Sequence, residues 1–285
     1  MMITMPATNS LQRFLFAHAA IRGDVIHLDS VYQTIIQQRP YPPKVKQLLG
    51  EALMACVLLV GGIKFEGEVS LQFQGDQRLP LLLVQCDHLL QLRGFANFSP
   101  DLSDEIYTEA FLQGKMVINL TPHQQTQTYQ SIVPLTSASM SDNLMHYFAQ
   151  SEQLPTKVWL AINEKHAAGI LLQLMPEQDS LQREQFWEYA VHIGATITPE
   201  ELLTLDNTTL LYRLYHETEL RLYPERNIQF KCRCSQEKMQ QVLTILGEQE
   251  TQDLLKEKGQ VDVNCEFCNL NYTFDAIDVA LLFRK

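Results

Sequence analysis

The chain has 285 residues, 46% of them hydrophobic, which suffices for a buried core and for more than one domain. Its formal net charge of -11 repels phosphate backbones and anionic lipid, so neither nucleic acid nor membrane is an expected partner. The opening MMITMPATNSLQRFLFAHAA lacks the basic and long apolar regions of a signal peptide, and the apolar run Ala52 to Gly62 is shorter than a membrane span. A cytoplasmic location, where thiols stay reduced, is the expectation.

Residues 11 to 28 read as a hairpin, RFLFAHA and VIHL, with its turn at Arg22-Gly23-Asp24. Pro43 suits the first turn of a helix, VKQLLGEALMACVLLVGGI, apolar on nearly every face from Ala52 and so central. A meander follows, EVSLQFQG, LPLLLVQC and LQLRGFANF, punctuated at Gly75-Asp76 and Gly94. MVINL and YQSIVPL are two further strands, Ser139 to Ser151 a helix, and KVWLAI and GILLQLM return to strand. Residues 1–176 thus read as one domain of antiparallel sheet and helices, in a chain of α+β class.

From Glu177 the pattern turns helical, with LQREQFWEYAVHI and then PEELLTLDNTTLLYRLYHE starting at Pro199. Residues 177–230 carry four Arg or Lys against ten Asp or Glu, a net of -6. The stretch is too short for its own core, yet holds Phe186, Trp187, Tyr189, Leu210, Leu211, Leu214 and Tyr215. Such helices must lay their apolar faces on other elements. Two readings stand: an ordinary connector, or a linker whose docking is reversible.

The last sixty residues begin with a strand, NIQFKC, which leads into the third region, 231–285. Ser235 suits the N-cap of SQEKMQQVLTIL, Gly247 its stop, and Gly259 the end of a second helix, EQETQDLLKEK. QVDVNC and NYTF read as strands, and IDVALLF as a short closing helix. Residues 225 to 285 carry eight Arg or Lys against ten Asp or Glu, a net of -2 that argues against a phosphate-binding finger.

Four of the six cysteines fall in this region. Cys232 and Cys234, spaced i and i+2 on a predicted strand, leave one face. Cys265-Glu266-Phe267-Cys268 is a C-x2-C knuckle, a common half-site for tetrahedral thiolate zinc. Four soft thiolates without a nearby histidine favour zinc over magnesium or calcium; an iron-sulfur cluster is the alternative, though C-x-C is an unusual spacing for one. A closed four-cysteine set leaves no position open for hydrolysis. A static staple and a switch both fit this spacing.

The pattern C-x-C, about thirty residues, C-x2-C, set in CSQEK and CEFCNLNYTFD, resembles the redox-regulated heat-shock chaperones of bacteria, the 33 kDa chaperonin family. YPPKVKQLLGEAL, LQFQGD, LRGFANF, YFAQSEQLPT, GILLQLMP, ELLTLDNTTLLYRLYHE and LGEQE extend the resemblance over essentially the whole chain. It implies a holdase, not an enzyme, that is inactive when reduced and active when oxidised. The implied ligands of one zinc per chain are Cys232, Cys234, Cys265 and Cys268. The implied disulfides of the oxidised form join Cys232 with Cys234 and Cys265 with Cys268. Residues 177–230 would be a linker that loses structure and exposes apolar surface to unfolding clients, with a homodimer as the active form.

Other signals carry less. Cys56 lies in an apolar helix, and Cys86 and Asp87 point to opposite faces of a strand. His216-Glu217 begins like a zincin motif, but Leu220 stands where the second histidine belongs. No P-loop and no G-x-S-x-G is present. A thiol-disulfide oxidoreductase using C-x2-C and a static zinc-ribbon module remain the rival readings.

Overall fold

The computed structural model describes residues 9–284 apart from 65, 101, 103, 124–126 and 177–180. The chain forms two compact units, one running to Phe230 and one beginning at Lys231. In the first, β1 (Asn9–Phe16) and β2 (Ile21–Leu28) precede α1 (Ser30–Ile36) and α2 (Pro43–Gly62). Then come β3 (Gly67–Gln74), β4 (Leu81–Asp87), β5 (Gln91–Asn97), α3 (Asp104–Leu112), β6 (Lys115–Pro122) and β7 (Tyr129–Pro134). Helix α4 (Met140–Tyr147) runs into a π-helical turn, Phe148–Glu152, before β8 (Thr156–Ile162) and β9 (Ala167–Leu174). The unit closes with α5 (Leu181–Gly194), α6 (Pro199–Thr204), α7 (Asn207–Tyr215) and the short strands β10 (Leu220–Leu222), β11 (Arg226–Asn227) and β12 (Gln229–Phe230).

Two six-stranded sheets result. One has the order β10-β1-β2-β9-β8, with β11 also on β1; the other has the order β12-β5-β4-β3-β6-β7. Their ladders are antiparallel except for β12, which runs parallel to β5. Helix α2 packs against strands of both sheets. Pro43 opens it, as expected, and burial extends from Val45 to Gly61, well before Ala52. Its 20 residues are long and apolar enough to cross a membrane, but 78% of that window is buried inside the protein, so it serves as the core helix.

The first sheet is covered on both faces. Every residue of β2 and β9 is buried. Ile26, Leu28 and Leu171 join the α2 core, whereas Ile21, Val25, Ile170 and Leu172 join a second cluster with Ala190, Leu202, Leu210, Leu211, Leu214 and Tyr215. The acidic helices α5 to α7 therefore lie on the outer face of this sheet, which answers where their apolar sides go. The 176/177 boundary falls beside residues outside those described.

Several expectations need correction. The first hairpin turns at Ala17–Ala20, and Gly23 is mid-strand opposite Phe14. A Cβ on Gly23 would lie 1.9 Å from the Phe14 ring, so this glycine makes room for a side chain and does not bend the chain. Gly94 likewise sits inside β5, opposite Val84. The stretch 199–217 splits in two because the Asp206 carboxylate accepts a hydrogen bond from the Thr209 amide and starts α7 afresh. Helices α1 and α3 had no sequence signal strong enough to find: α1 is SVYQTII, rich in β-branched residues and without a side-chain cap.

The second unit contains α8 (Gln236–Leu246), α9 (Glu248–Lys258), β13 (Val261–Asn264), β14 (Asn271–Phe274) and α10 (Ala276–Leu282). Ser235 caps α8 as read, accepting from the Lys238 amide. Gly247 and Gly259 both take positive φ, +100° and +75°, and end the two helices there. Strands β13 and β14 pair as an antiparallel hairpin. The fully buried apolar core of this unit is Leu243, Val261, Phe274 and Val279.

Candidate metal and redox centre

Cys265 to Leu270 form the loop of the β13–β14 hairpin. The Cys265 amide donates to the Leu270 carbonyl at 2.9 Å, and the Asn269 amide donates back to the Cys265 carbonyl at 2.8 Å. Asn269 takes φ +55°, a left-handed conformation that asparagine tolerates, and this closes the knuckle tightly. Cys232 and Cys234 do not sit on a strand: residues 231–235 have no ladder partner, and β12 has ended at Phe230. Their placement comes from an irregular segment anchored by the Ser235 cap.

The structure brings all four predicted sulfurs together. The Sγ atoms of Cys232, Cys234, Cys265 and Cys268 lie within 4.8 Å of one another. Two contacts cross between the pairs, Cys232 to Cys265 and Cys234 to Cys268, each at 3.5 Å. A tetrahedral ion with about 2.3 Å bonds to sulfur needs S–S edges of roughly 3.8 Å. The donor set and its size therefore fit such an ion, and the cluster can hold a metal. Cys265 is buried and the other three are half-buried, so an oxidant in solution can reach the cluster.

One partner escaped the sequence reading. The Tyr272 hydroxyl donates to Cys234 Sγ at 3.1 Å. Burial pushes the Cys234 thiol up, but this hydrogen bond and those from the neighbouring sulfurs outweigh it and hold the group at about 7. The same bond raises Tyr272 to about 12. Burial comes first among the causes that raise Cys232 and Cys268. The available signal was alternation along β14, which puts Tyr272 and Phe274 on one face.

The discounted residues fall elsewhere. Cys56 and Cys86 are both fully buried, and burial raises both thiols, as for inert core cysteines. His216 caps the end of α7 while Leu220 begins β10, so the zincin-like run is not one helix face.

A family model described as Hsp33 protein matches residues 9–275. The chain belongs to the Hsp33 protein family. The Hsp33 match takes in all four clustered cysteines and the α5–α7 segment. Among Hsp33 relatives, the 33 kDa chaperonin of Shewanella oneidensis is 40% identical over 276 residues, covering 96% of each chain. That of Pseudomonas aeruginosa is 40% identical over 285 residues, covering 98% of this chain and 96% of the relative. The crystal structure of the 33 kDa chaperonin from Thermotoga maritima superposes with TM-score 0.81 at 21% identity, covering 96% of this chain and 97% of that one. At that identity the match shows a shared Hsp33 fold.

Proposed function

We propose that this chain is a redox-regulated, ATP-independent holdase chaperone, inactive when its four thiolates surround one zinc and active once they are oxidised. Family membership and the chaperonin names of its relatives support the chaperone function. The redox part rests on one observation: four sulfurs converge within 4.8 Å in a unit whose buried apolar core is four side chains. Zinc held by Cys232, Cys234, Cys265 and Cys268 would supply a closed thiolate crosslink between residues 231–235 and the β13–β14 loop. Structural sites of this kind contribute on the order of 10 kcal/mol, comparable with the whole stability of a domain.

Oxidation changes the donor set. For each disulfide, hydrogen peroxide takes two electrons from two cysteine thiolates: its O–O bond breaks, an S–S bond forms, and both oxygens leave as water, completed by two protons from solvent. The bonds are placed between near neighbours, Cys232–Cys234 and Cys265–Cys268, because short loops close most readily. The 3.5 Å contacts make crossed pairing the competing outcome. After two such steps no thiolate remains in the cluster, and residues 231–285 depend on their small core alone.

The working surface is then the 177–230 linker. Cys232 follows β12 closely in the chain, and β10, β11 and β12 are only three, two and two residues long. Ladders that short fray first when the chain beyond them loosens. Lifting α5 to α7 off their sheet frees Phe186, Trp187, Tyr189, Leu211, Leu214 and Tyr215. Burial of exposed apolar client surface at about 25 cal/mol per Å2 gives affinity without nucleotide. Clients are unfolding proteins in the cytoplasm, the oxidised form is a homodimer, and no reaction is catalysed.

Zinc release and suppression of client aggregation, measured before and after peroxide treatment, test this reading. Both should rise together. Zinc retained under peroxide favours a static module, and turnover in an insulin-reduction assay favours a thiol-disulfide oxidoreductase.

A further inference from the structure

Within the first unit, a cleft of about 570 Å3 opens between the β1–β2 hairpin, the end of α2 and the strand-connecting segment at Tyr223–Arg226. Its charge is opposite to that of the protein as a whole. Arg13, Arg22, Lys64 and Arg226 line it, against the single carboxylate of Asp24. Arg13 is engaged through Nε and Nη2: it donates to both Asp24 oxygens, at 3.0 and 3.3 Å, and to the Gly61 carbonyl at the end of α2. Asp24 is thereby committed to Arg13.

Arg22 is in a different position. It is 7% exposed, and its Nε has no hydrogen-bond partner among the described residues. Asp24 and Glu152 act on it electrostatically, and burial nevertheless lowers its pKa, the mark of a cation short of compensation. Its guanidinium lies against Gly62, where a Cβ would come within 2.8 Å of Nη2. A buried, under-partnered guanidinium on a cleft wall is a donor fork built for an oxyanion. Leu11, Leu15, Ile63 and Met175 supply apolar wall beside it. The cleft volume lies within the usual range of small-ligand sites, about 300–1,000 Å3.

We propose that this cleft binds a small amphiphilic anion, a carboxylate or phosphate monoester on an apolar body, with Arg22 gripping the head group and Lys64 and Arg226 as rim charges. Lys64 and Arg226 are both exposed at the mouth. A bound anion touches both the β1–β2 hairpin and the Tyr223–Arg226 segment, so by linkage it holds that segment in place. The site uses no cysteine, and its test is independent of the redox reading.

The test titrates the reduced full-length protein with octyl phosphate, octanoate, inorganic phosphate and octyltrimethylammonium, all below their micellar concentrations, by calorimetry. Saturable one-to-one binding of an octyl anion is expected, tighter than inorganic phosphate and absent for the cation. The tighter of the two octyl anions identifies the head group. Arg22→Gln should weaken binding at least tenfold, and Arg22→Lys less. Should Arg22→Gln fail to fold, the rim pair Lys64→Gln/Arg226→Gln decides, with a loss of threefold or more expected. Equal binding of the cation, no saturable binding of either octyl anion, or unchanged affinity in the folded variants would overturn the proposal.

Discussion

The Tyr215 hydroxyl donates to the Ala190 carbonyl at 2.9 Å and so ties α7 to α5 in a buried setting. The same ring stands edge-on to Phe16 of the underlying sheet, at 5.0 Å between centroids. Gly194 permits the approach: a Cβ there would meet both the Tyr215 hydroxyl and the Trp159 ring at 2.9 Å. One side chain thus joins α5 and α7 to each other and to the sheet. Tyr215→Phe should cost about 1 kcal/mol of docking, and Tyr215→Ala about 3–5 kcal/mol. Hydrogen exchange across residues 181–215 measures this, and the alanine variant should suppress client aggregation at lower oxidant doses. Unchanged protection in that variant would rule out Tyr215 as the clasp.

Replacing a sulfur should separate the two units. Cys265→Ser removes the buried member of the four-sulfur set. Metal content of the reduced protein should drop from one zinc per chain toward zero. Residues 231–285 should lose amide protection while the first unit, with its own extensive core, keeps its thermal transition. A chelator should have the same effect on the wild type. A chelated protein whose 231–285 amides stay protected would show that the small core suffices alone.

Peptide mapping after peroxide treatment decides the connectivity. The expected products are Cys232–Cys234 and Cys265–Cys268, with the second forming first because the two-residue spacing of C-x-C closes a strained ring. Crossed bridges as the main products would instead mean that the 3.5 Å contacts of the reduced cluster direct the chemistry.

Acid should loosen the first unit through His27. Burial pushes this imidazole down from 6.5 to about 4, against the opposing pull of Asn207 and Asp206 at the start of α7. The folded protein therefore keeps His27 neutral where the unfolded chain would already be protonated. Its contribution is intact above about pH 6.5 and is lost as pH falls toward about 4, on the order of 3 kcal/mol in all. Urea unfolding at a series of pH values should show this slope, and His27→Gln should flatten it. A slope that survives the substitution would assign the acid sensitivity to other groups.

The parts legible in the sequence are those with a local cause. Pro43, Ser235, Gly247 and Gly259 mark helix ends through their own backbone chemistry, and the structure places those ends there. The cysteine spacing foretold a cluster because thiolates have few other reasons to recur in that pattern. What failed were positions decided at a distance. Gly23 looks like a turn residue until Phe14 is found across the ladder, and Tyr272 looks like any strand aromatic until Cys234 is seen beneath its hydroxyl. The C-x-C stretch imitates a strand in sequence, yet its ladder partner is missing. The cleft around Arg22 gathers residues from four separate stretches of chain, a convergence that no local pattern announces.

The doubly buried sheet formed by β2 and β9 has a consequence for any release of α5 to α7. Those helices occupy the outer face of the sheet, and Ile21, Val25, Ile170 and Leu172 form the seat beneath them, so under the proposed mechanism they would act as a tethered pseudo-client. When they lift, the seat opens along with the occupant, so two matching apolar surfaces become available at once. Because the helices stay attached to the chain, their effective concentration at the seat remains in the millimolar range of short linkers. Under the proposed mechanism an unfolding protein would have to win against an ever-present competitor, which would favour long chains that touch both surfaces over short apolar peptides. The same tether would supply the means of discharge in that mechanism, since whatever restores the docked helices would expel the guest.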